Sequence, residues 1–223
     1  MHYLLSIFTL LFMIPSEISA NMVHHNKQAT ILEAVKNNKP AAVEQALKKG
    51  ANVNTQDAAG SSLLLIATHN ANLEMTRLLV AKGADVNLQN KSKDSPFLFA
   101  GAAGYTELVK LFLANGARFD VFNRYNGSAL IPACERGHIE VVKILANTEG
   151  FPIDHVNRLG WTALLEAVIL GDGSEKYVKT VQILVDAGCD IHIPDSKGVT
   201  ALQHAKNNGY TKIAQLLESS SKM

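Results

Sequence analysis

SALIPACERGHIEVVKIL, residues 128–145, holds one complete folding unit. Ser128 stands just ahead of an apolar run, where a hydroxyl can accept the free N–H groups that open a helix. Gly137 closes that run, because glycine enters the left-handed conformation at little cost. A second run follows and puts Val141, Ile144 and Leu145 on one face at helical spacing. Pro132 falls in the first turn of the first helix, where it removes an early backbone bond and is expected to tighten or bend the start. The product is two short helices, each with an oily face that the pair is too small to cover alone.

The same unit recurs in both directions along the chain. "SPFLFA" from Ser95, "TALLEA" from Thr162 and "TALQHA" from Thr200 repeat the capped start, and "GYTELVKLFL" from Gly104 repeats the second helix. Between units stand "KKGANVN", "AKGADVN", "ANGARFD" and "DAGCDIH". Their glycines Gly50, Gly83 and Gly116 are 33 apart, the step to Gly150 is 34 and the step to Gly188 is 38. A fixed period of this length marks a stacked array in which each unit is sheltered by its neighbours. Glycines 104, 137, 171 and 209 are expected to end the first helices in the left-handed conformation.

These motifs resemble the ankyrin repeat family, whose "TPLHxA" helix start is matched in register. The resemblance implies an all-α ankyrin-repeat solenoid of about six helix-turn-helix units with β-turn or hairpin fingers. Repeats are expected at about 26–54, 55–87, 88–120, 121–154, 155–192 and 193–218. The chain departs from the family where a histidine usually follows "TPL": Leu65, Leu98, Ile131, Leu165 and Gln203 stand there, so slightly weaker caps are expected. Five additional residues within "GDGSEKY" from Gly171 are expected to lengthen the turn inside repeat five. End repeats should be more polar, as Lys27, Glu33, Lys36 and Asn37 are, and the tail 219–223, from Ser219 onward, is expected to be disordered.

Composition narrows the function. Formal net charge is +1, from 21 basic and 20 acidic residues spread along 223 positions, which leaves no basic field for nucleic acid. Residues 1–20 read as an export signal: an apolar run from Tyr3 to Ile14 is too short to span a membrane, and Ala20 offers a cleavage point. The mature chain, 21–218 apart from its tail, is therefore expected in the periplasm of a bacterium or otherwise secreted, as a monomer. In that compartment Cys134 and Cys189 raise the question of a disulfide. Their slots, a small core position and the Ala slot of a "GAD" turn, fit small buried side chains better. Asn90 and Asn126 head sequons that matter only along a glycosylating route. No histidine cluster has metal-ligand spacing, no phosphate loop is present, and Ser62 and Ser128 read as caps rather than nucleophiles. A non-catalytic protein without cofactor or metal is expected.

The family resemblance implies that fingertips and the exposed side of the first helices face a partner. Carried onto this sequence, those slots hold Phe122, Arg124, Tyr125, Glu135 and Arg136 in repeat four, and Arg158, Leu159, Trp161, Ile169 and Leu170 in repeat five. Trp, Tyr and Arg are the residues most enriched at interface hot spots. Arg124 and Arg158 occupy equivalent slots in adjacent repeats, expected about 10 Å apart. Alternatives stand beside each reading. Phe122 fits finger-on-finger packing, the inserted loop is placed to cover Ile169 and Leu170, and Asp120, Asp154 or Glu135 are within chain reach of the arginines. A protein partner is the first expectation. A small anionic ligand held by Arg124, Arg158 and Trp161 is the second, and an enzyme using Glu166 with Asp172 a distant third.

Overall fold

A computed structural model describes residues 28–221. The export-signal reading, the first residues of repeat one and the last two residues of the chain lie outside the described residues. Two compact units divide between Asn52 and Val53.

The first unit contains helical residues 28–36 (α1) and α2 (Pro40–Lys48). Pro40 opens α2 at the position where a missing N–H costs nothing. Ile31, Val35 and Val43 are buried, while Glu33 and Lys36 lie exposed, 3.7 Å apart. An exposed pair of this kind adds little stability.

The second unit is built from helix pairs: α3 (Leu63–His69) with α4 (Leu73–Ala81), α5 (Pro96–Ala103) with α6 (Thr106–Leu113), and α7 (Leu130–Arg136) with α8 (Ile139–Ala146). Then come α9 (Ala163–Ile169) with α10 (Glu175–Asp186) and α11 (Ala201–Asn207) with α12 (Thr211–Ser220). First helices pack in one row, α3 on α5, α5 on α7, α7 on α9 and α9 on α11, and second helices in a parallel row behind them. The result is an all-α solenoid. Its core runs between the rows, where Phe112, Leu145, Leu165 and Leu184 are fully buried, each stabilising the stack by about 1.5–3 kcal/mol. Fingers between the pairs are turns. The single isolated bridge among the described residues joins Gln56 to Ser62.

Local sequence sets the helix ends. Oγ of Ser62 and Ser95 and Oγ1 of Thr162 accept the N–H of Leu65, Leu98 and Leu165 at 3.1–3.2 Å. Each such cap contributes about 1 kcal/mol. At Thr200 the cap is reciprocal, since Gln203 accepts the Thr200 N–H at 2.8 Å with its own side chain. Gly104 and Gly137 close α5 and α7 in the left-handed conformation.

Four expectations need correction. Ser128 does not cap α7: the helix starts at Leu130 behind Ala129, and the buried Ser128 hydroxyl has no partner among the described residues. Pro132 explains this, because a proline ring collides with the carbonyl four residues earlier, here that of Ser128, and offers it no N–H. Gly171 is not left-handed. A Cβ there would overlap the Ala167 carbonyl oxygen and lie 2.7 Å from the Tyr177 ring, so close approach requires the glycine. The insertion lengthens more than a turn. Residues 170–174 link α9 to α10, and α10 has 12 residues where α6 and α8 have 8, so part of the added chain became helix. That added turn reaches back onto repeat four: Tyr177 Oη donates to the Glu135 carbonyl at 2.8 Å and Lys176 Nζ to the Arg136 carbonyl at 3.2 Å. Finally, Ser219 and Ser220 are helical, with hydroxyls bonded to the carbonyls of Gln215 and Leu216.

Candidate functional site

Each finger is organised by one side chain. Asp57, Asn90, Asn123, Asn157 and Asp195 accept, through Oδ1, the N–H groups two and four residues onward at 2.8–3.1 Å. The residue three places on has positive φ in every case, glycine at 60, 160 and 198 but Lys93 and Asn126 elsewhere. Such turns are where Asn and Asp replace a backbone partner with their own side chain. Because Oδ1 of Asn157 is committed to its turn, its Nδ2 is left to donate to Glu166 Oε1, nine residues later, at 2.9 Å. Repeat six uses the same pair of slots, with Asp195 Oδ2 and His204 Nε2 2.8 Å apart.

A cavity of about 370 Å³ opens on the first-helix side of repeats three to five. Leu98 and Ala102 of α5, Ile131 and Pro132 of α7, and Leu159 and Leu170 give it apolar walls. Its polar groups are Asp94, Arg124, Glu135, Arg136 and, at the base, Glu166, with Tyr125 at the rim. Glu166 is only 5% exposed. Burial first, and the like charge of Glu135 second, raise its pKa from 4.5 to about 7, while the Asn157 amide acts in the opposite direction.

Six of the ten residues expected at a partner face line this cavity: Arg124, Tyr125, Glu135, Arg136, Leu159 and Leu170. Arg124 lies over the Tyr125 ring at 5.2 Å. Arg136 Nη1 donates to the Ala102 carbonyl at 2.5 Å. Leu170 is 48% exposed, so the insertion does not cover it.

The other four lie outside the cavity lining. Phe122 is half-buried and stacks on His155 with ring centroids 4.1 Å apart and planes 6° from parallel, which is finger-on-finger packing. Trp161 and Ile169 are half-buried. Arg158 Nη1 donates to the Arg124 carbonyl at 3.0 Å, and its N–H to the Tyr125 carbonyl at 2.9 Å. Lys91 makes the same two bonds two array positions earlier, from Nζ to the Ala58 carbonyl and from its N–H to the Ala59 carbonyl. The fingertip cation is thus part of how successive fingers are tied together.

Among the described residues, neither arginine forms an ion pair, since Asp120 is bridged by Arg118 at 2.7 Å and Asp154 accepts the Asp190 N–H. Asp172 turns to the Ser174 N–H and does not line the cavity with Glu166. Cys134 is buried and Cys189 half-buried, and neither is bridged. Among the described residues no His, Cys, Asp and Glu group is arranged to hold a metal ion. Sequence reasoning passed over the Asn157–Glu166 pair at the base of the cavity. The signal was present, for the turn residues 57, 90, 123, 157 and 195 carry the same 33, 33, 34, 38 spacing as the glycines.

Comparison with known proteins gives a consistent picture. A family profile described as "Ankyrin repeats (3 copies)" matches at residues 4–90, 31–123 and 97–195. YahD of Escherichia coli, whose name assigns it to the ankyrin repeat proteins, is 43% identical over 74 residues, 33% of this chain and 36% of that one. The match therefore spans about a third of that relative's length. The crystal structure of an ankyrin repeat domain from Acinetobacter baumannii AYE superposes with a TM-score of 0.83 at 41% identity, over 86% of this chain and 97% of that one. The crystal structure of EF0377, an ankyrin repeat protein, gives 0.82 at 40% identity, over 85% and 96%.

Proposed function

The chain belongs to the ankyrin repeat family, whose arrays are generally protein-protein interaction modules and typically non-enzymatic, and from that premise we propose that its first-helix face binds a partner protein across repeats three to five. One observation carries the reading. Exposed large apolar side chains are gathered here: Tyr125, Val156, Leu159 and Leu170 are 40–53% exposed, and three of the four line one cavity. Isolated apolar residues on a surface need no function, whereas a contiguous group rimmed by polar residues marks an interaction site.

Replacing Tyr125, Leu159 and Leu170 together by serine should abolish capture of the partner with helical content unchanged. Capture that survives the triple substitution removes this face from consideration. The apolar segment 3–14 supports export of the protein, and the mass of the chain recovered from the exporting compartment tests it: a chain beginning at Asn21 is the expected species. A small anionic ligand held by Arg124, Arg158 and Trp161 is the weaker reading. Arg158 is engaged with the neighbouring finger, Trp161 does not line the cavity, and three carboxyl groups do.

A further inference from the structure

Resting on the reading of this face as a docking surface, we infer that the cavity above Glu166 receives one cationic side chain of the partner, an arginine or lysine carried on an otherwise apolar segment.

The first support is the state of Glu166 itself. It is nine-tenths buried, its Oε1 accepts the Asn157 amide, and its Oε2 has no hydrogen-bond donor among the described residues. Oε2 is therefore not sealed inside the protein but lies open to the cavity, unclaimed by any described donor and able to accept one brought from outside. The second support is charge. Asp94 and Glu135 line the same cavity, and neither they nor Glu166 form an ion pair among the described residues. Arg136 is directed to the Ala102 carbonyl, and Arg124, which lies on the Tyr125 ring, feels the charge of Asp94, so Glu135 and Glu166 are the carboxyl groups left for a cation from outside. The third is shape. Leu98, Leu159 and Leu170 offer apolar walls to an aliphatic stem whose charged head reaches Glu166.

The groups around Glu166 come from every neighbouring element. α7 contributes Glu135, Arg136 and the buried Cys134, and the finger before it Arg124 and Tyr125. Of the other helices packed on α9, α10 carries Tyr177, whose hydroxyl is bonded to the Glu135 carbonyl, and α11 carries His204, bonded to Asp195. No described cation neutralises Glu166. Burial and Glu135 bring it to half-ionisation near neutral pH, so a bound cation should also displace its proton.

The test titrates the full chain, followed by NMR, with three blocked pentapeptides of sequence acetyl-Ala-Leu-X-Leu-Ala-amide, where X is arginine, lysine or citrulline. Citrulline keeps the shape of arginine without its charge. At pH 8 at least one cationic peptide should bind ten-fold or more tighter than the citrulline peptide, and its affinity should fall several-fold by pH 6 as Glu166 takes up a proton. Glu166→Gln should reduce it to the citrulline level and remove the pH dependence, with helical content retained. Arginine binding without lysine identifies a planar, two-donor contact, and binding of both identifies a simple cation. Equal binding of citrulline and arginine, an unchanged preference in Glu166→Gln, or no shift of cavity resonances with either cationic peptide overturns the inference. Those failures leave the docking face intact, because its own test reads partner capture through Tyr125, Leu159 and Leu170.

Discussion

Glu166→Gln should make the protein more stable above neutral pH and leave it unchanged in acid. The substituted amide keeps an oxygen for the Asn157 Nδ2 donor, so the change removes a charge and little else. In the folded chain the group titrates at about 7 against 4.5 when free, because burial and Glu135 disfavour the ion. Below pH 4.5 the carboxyl is protonated both folded and unfolded, and no penalty exists. Between 4.5 and 7 the unfolded chain has released a proton that the folded chain retains, so stability falls as pH rises, and above 7 the loss is complete. A rise of that size corresponds to about 3 kcal/mol at 1.36 kcal/mol per pH unit. Because Glu166 Oε2 is not sealed from solvent, screening makes about 3 kcal/mol the upper figure. Denaturant melts at pH 4, 6 and 8.5 measure it. The two proteins should coincide at pH 4, and the variant should lead by up to about 3 kcal/mol at pH 8.5, at most on the order of 6–12 °C in Tm. Glu135→Gln should give a smaller gain of the same sign, as the second cause. A gap that is constant across pH, or a wild type more stable than Glu166→Gln at pH 8.5, refutes the reasoning.

Ser128→Ala should be neutral or stabilising by up to about 1 kcal/mol, since a buried unpartnered hydroxyl is removed, while Ser95→Ala should cost about 1 kcal/mol through its lost cap; paired denaturant melts separate them, and an equal loss in both contradicts the Pro132 explanation. Gly171→Ala should lower stability by about 2 kcal/mol or more, because the added methyl meets the Ala167 carbonyl and the Tyr177 ring, and a melt within experimental error of wild type would refute that close packing. Tyr177→Phe should cost about 1 kcal/mol by leaving the Glu135 carbonyl without its donor; hydrogen exchange should quicken along α7 and α10, and unchanged exchange there would show that the insertion is not fastened to repeat four.

The array was readable because each of its parts obeys a rule local to a few residues. A hydroxyl followed by an apolar run predicts a cap, and Ser62, Ser95, Thr162 and Thr200 act as caps. The same rule fails at Ser128 for an equally local reason four residues along, where Pro132 displaces the carbonyl that a normal first turn would use. The insertion resisted reading for a different reason. Spacing counts added residues but does not say whether they extend a loop or a helix, and the choice was made by contacts from Tyr177 and Lys176 to a repeat some forty residues earlier.

The cavity is a matter of the same kind, because its charge state depends on residues from three repeats. Arg124, Arg158 and Trp161 attract notice as residue types, yet the Arg158 guanidinium is bonded to the preceding finger's carbonyl as the Lys91 ammonium is to its own. A fingertip cation therefore speaks first of how the fingers are joined. The slot nine residues after each turn-forming Asp or Asn holds Ile66, Phe99, Pro132, Glu166 and His204 in successive repeats. Only in the last two is it polar, and in both it is bonded to the side chain that shapes its own finger. A carboxyl group so fixed has one oxygen committed to its own finger and the other open to the cavity. A proton, or a cation brought by something else, takes up its charge there, and near neutral pH the two compete for the same oxygen.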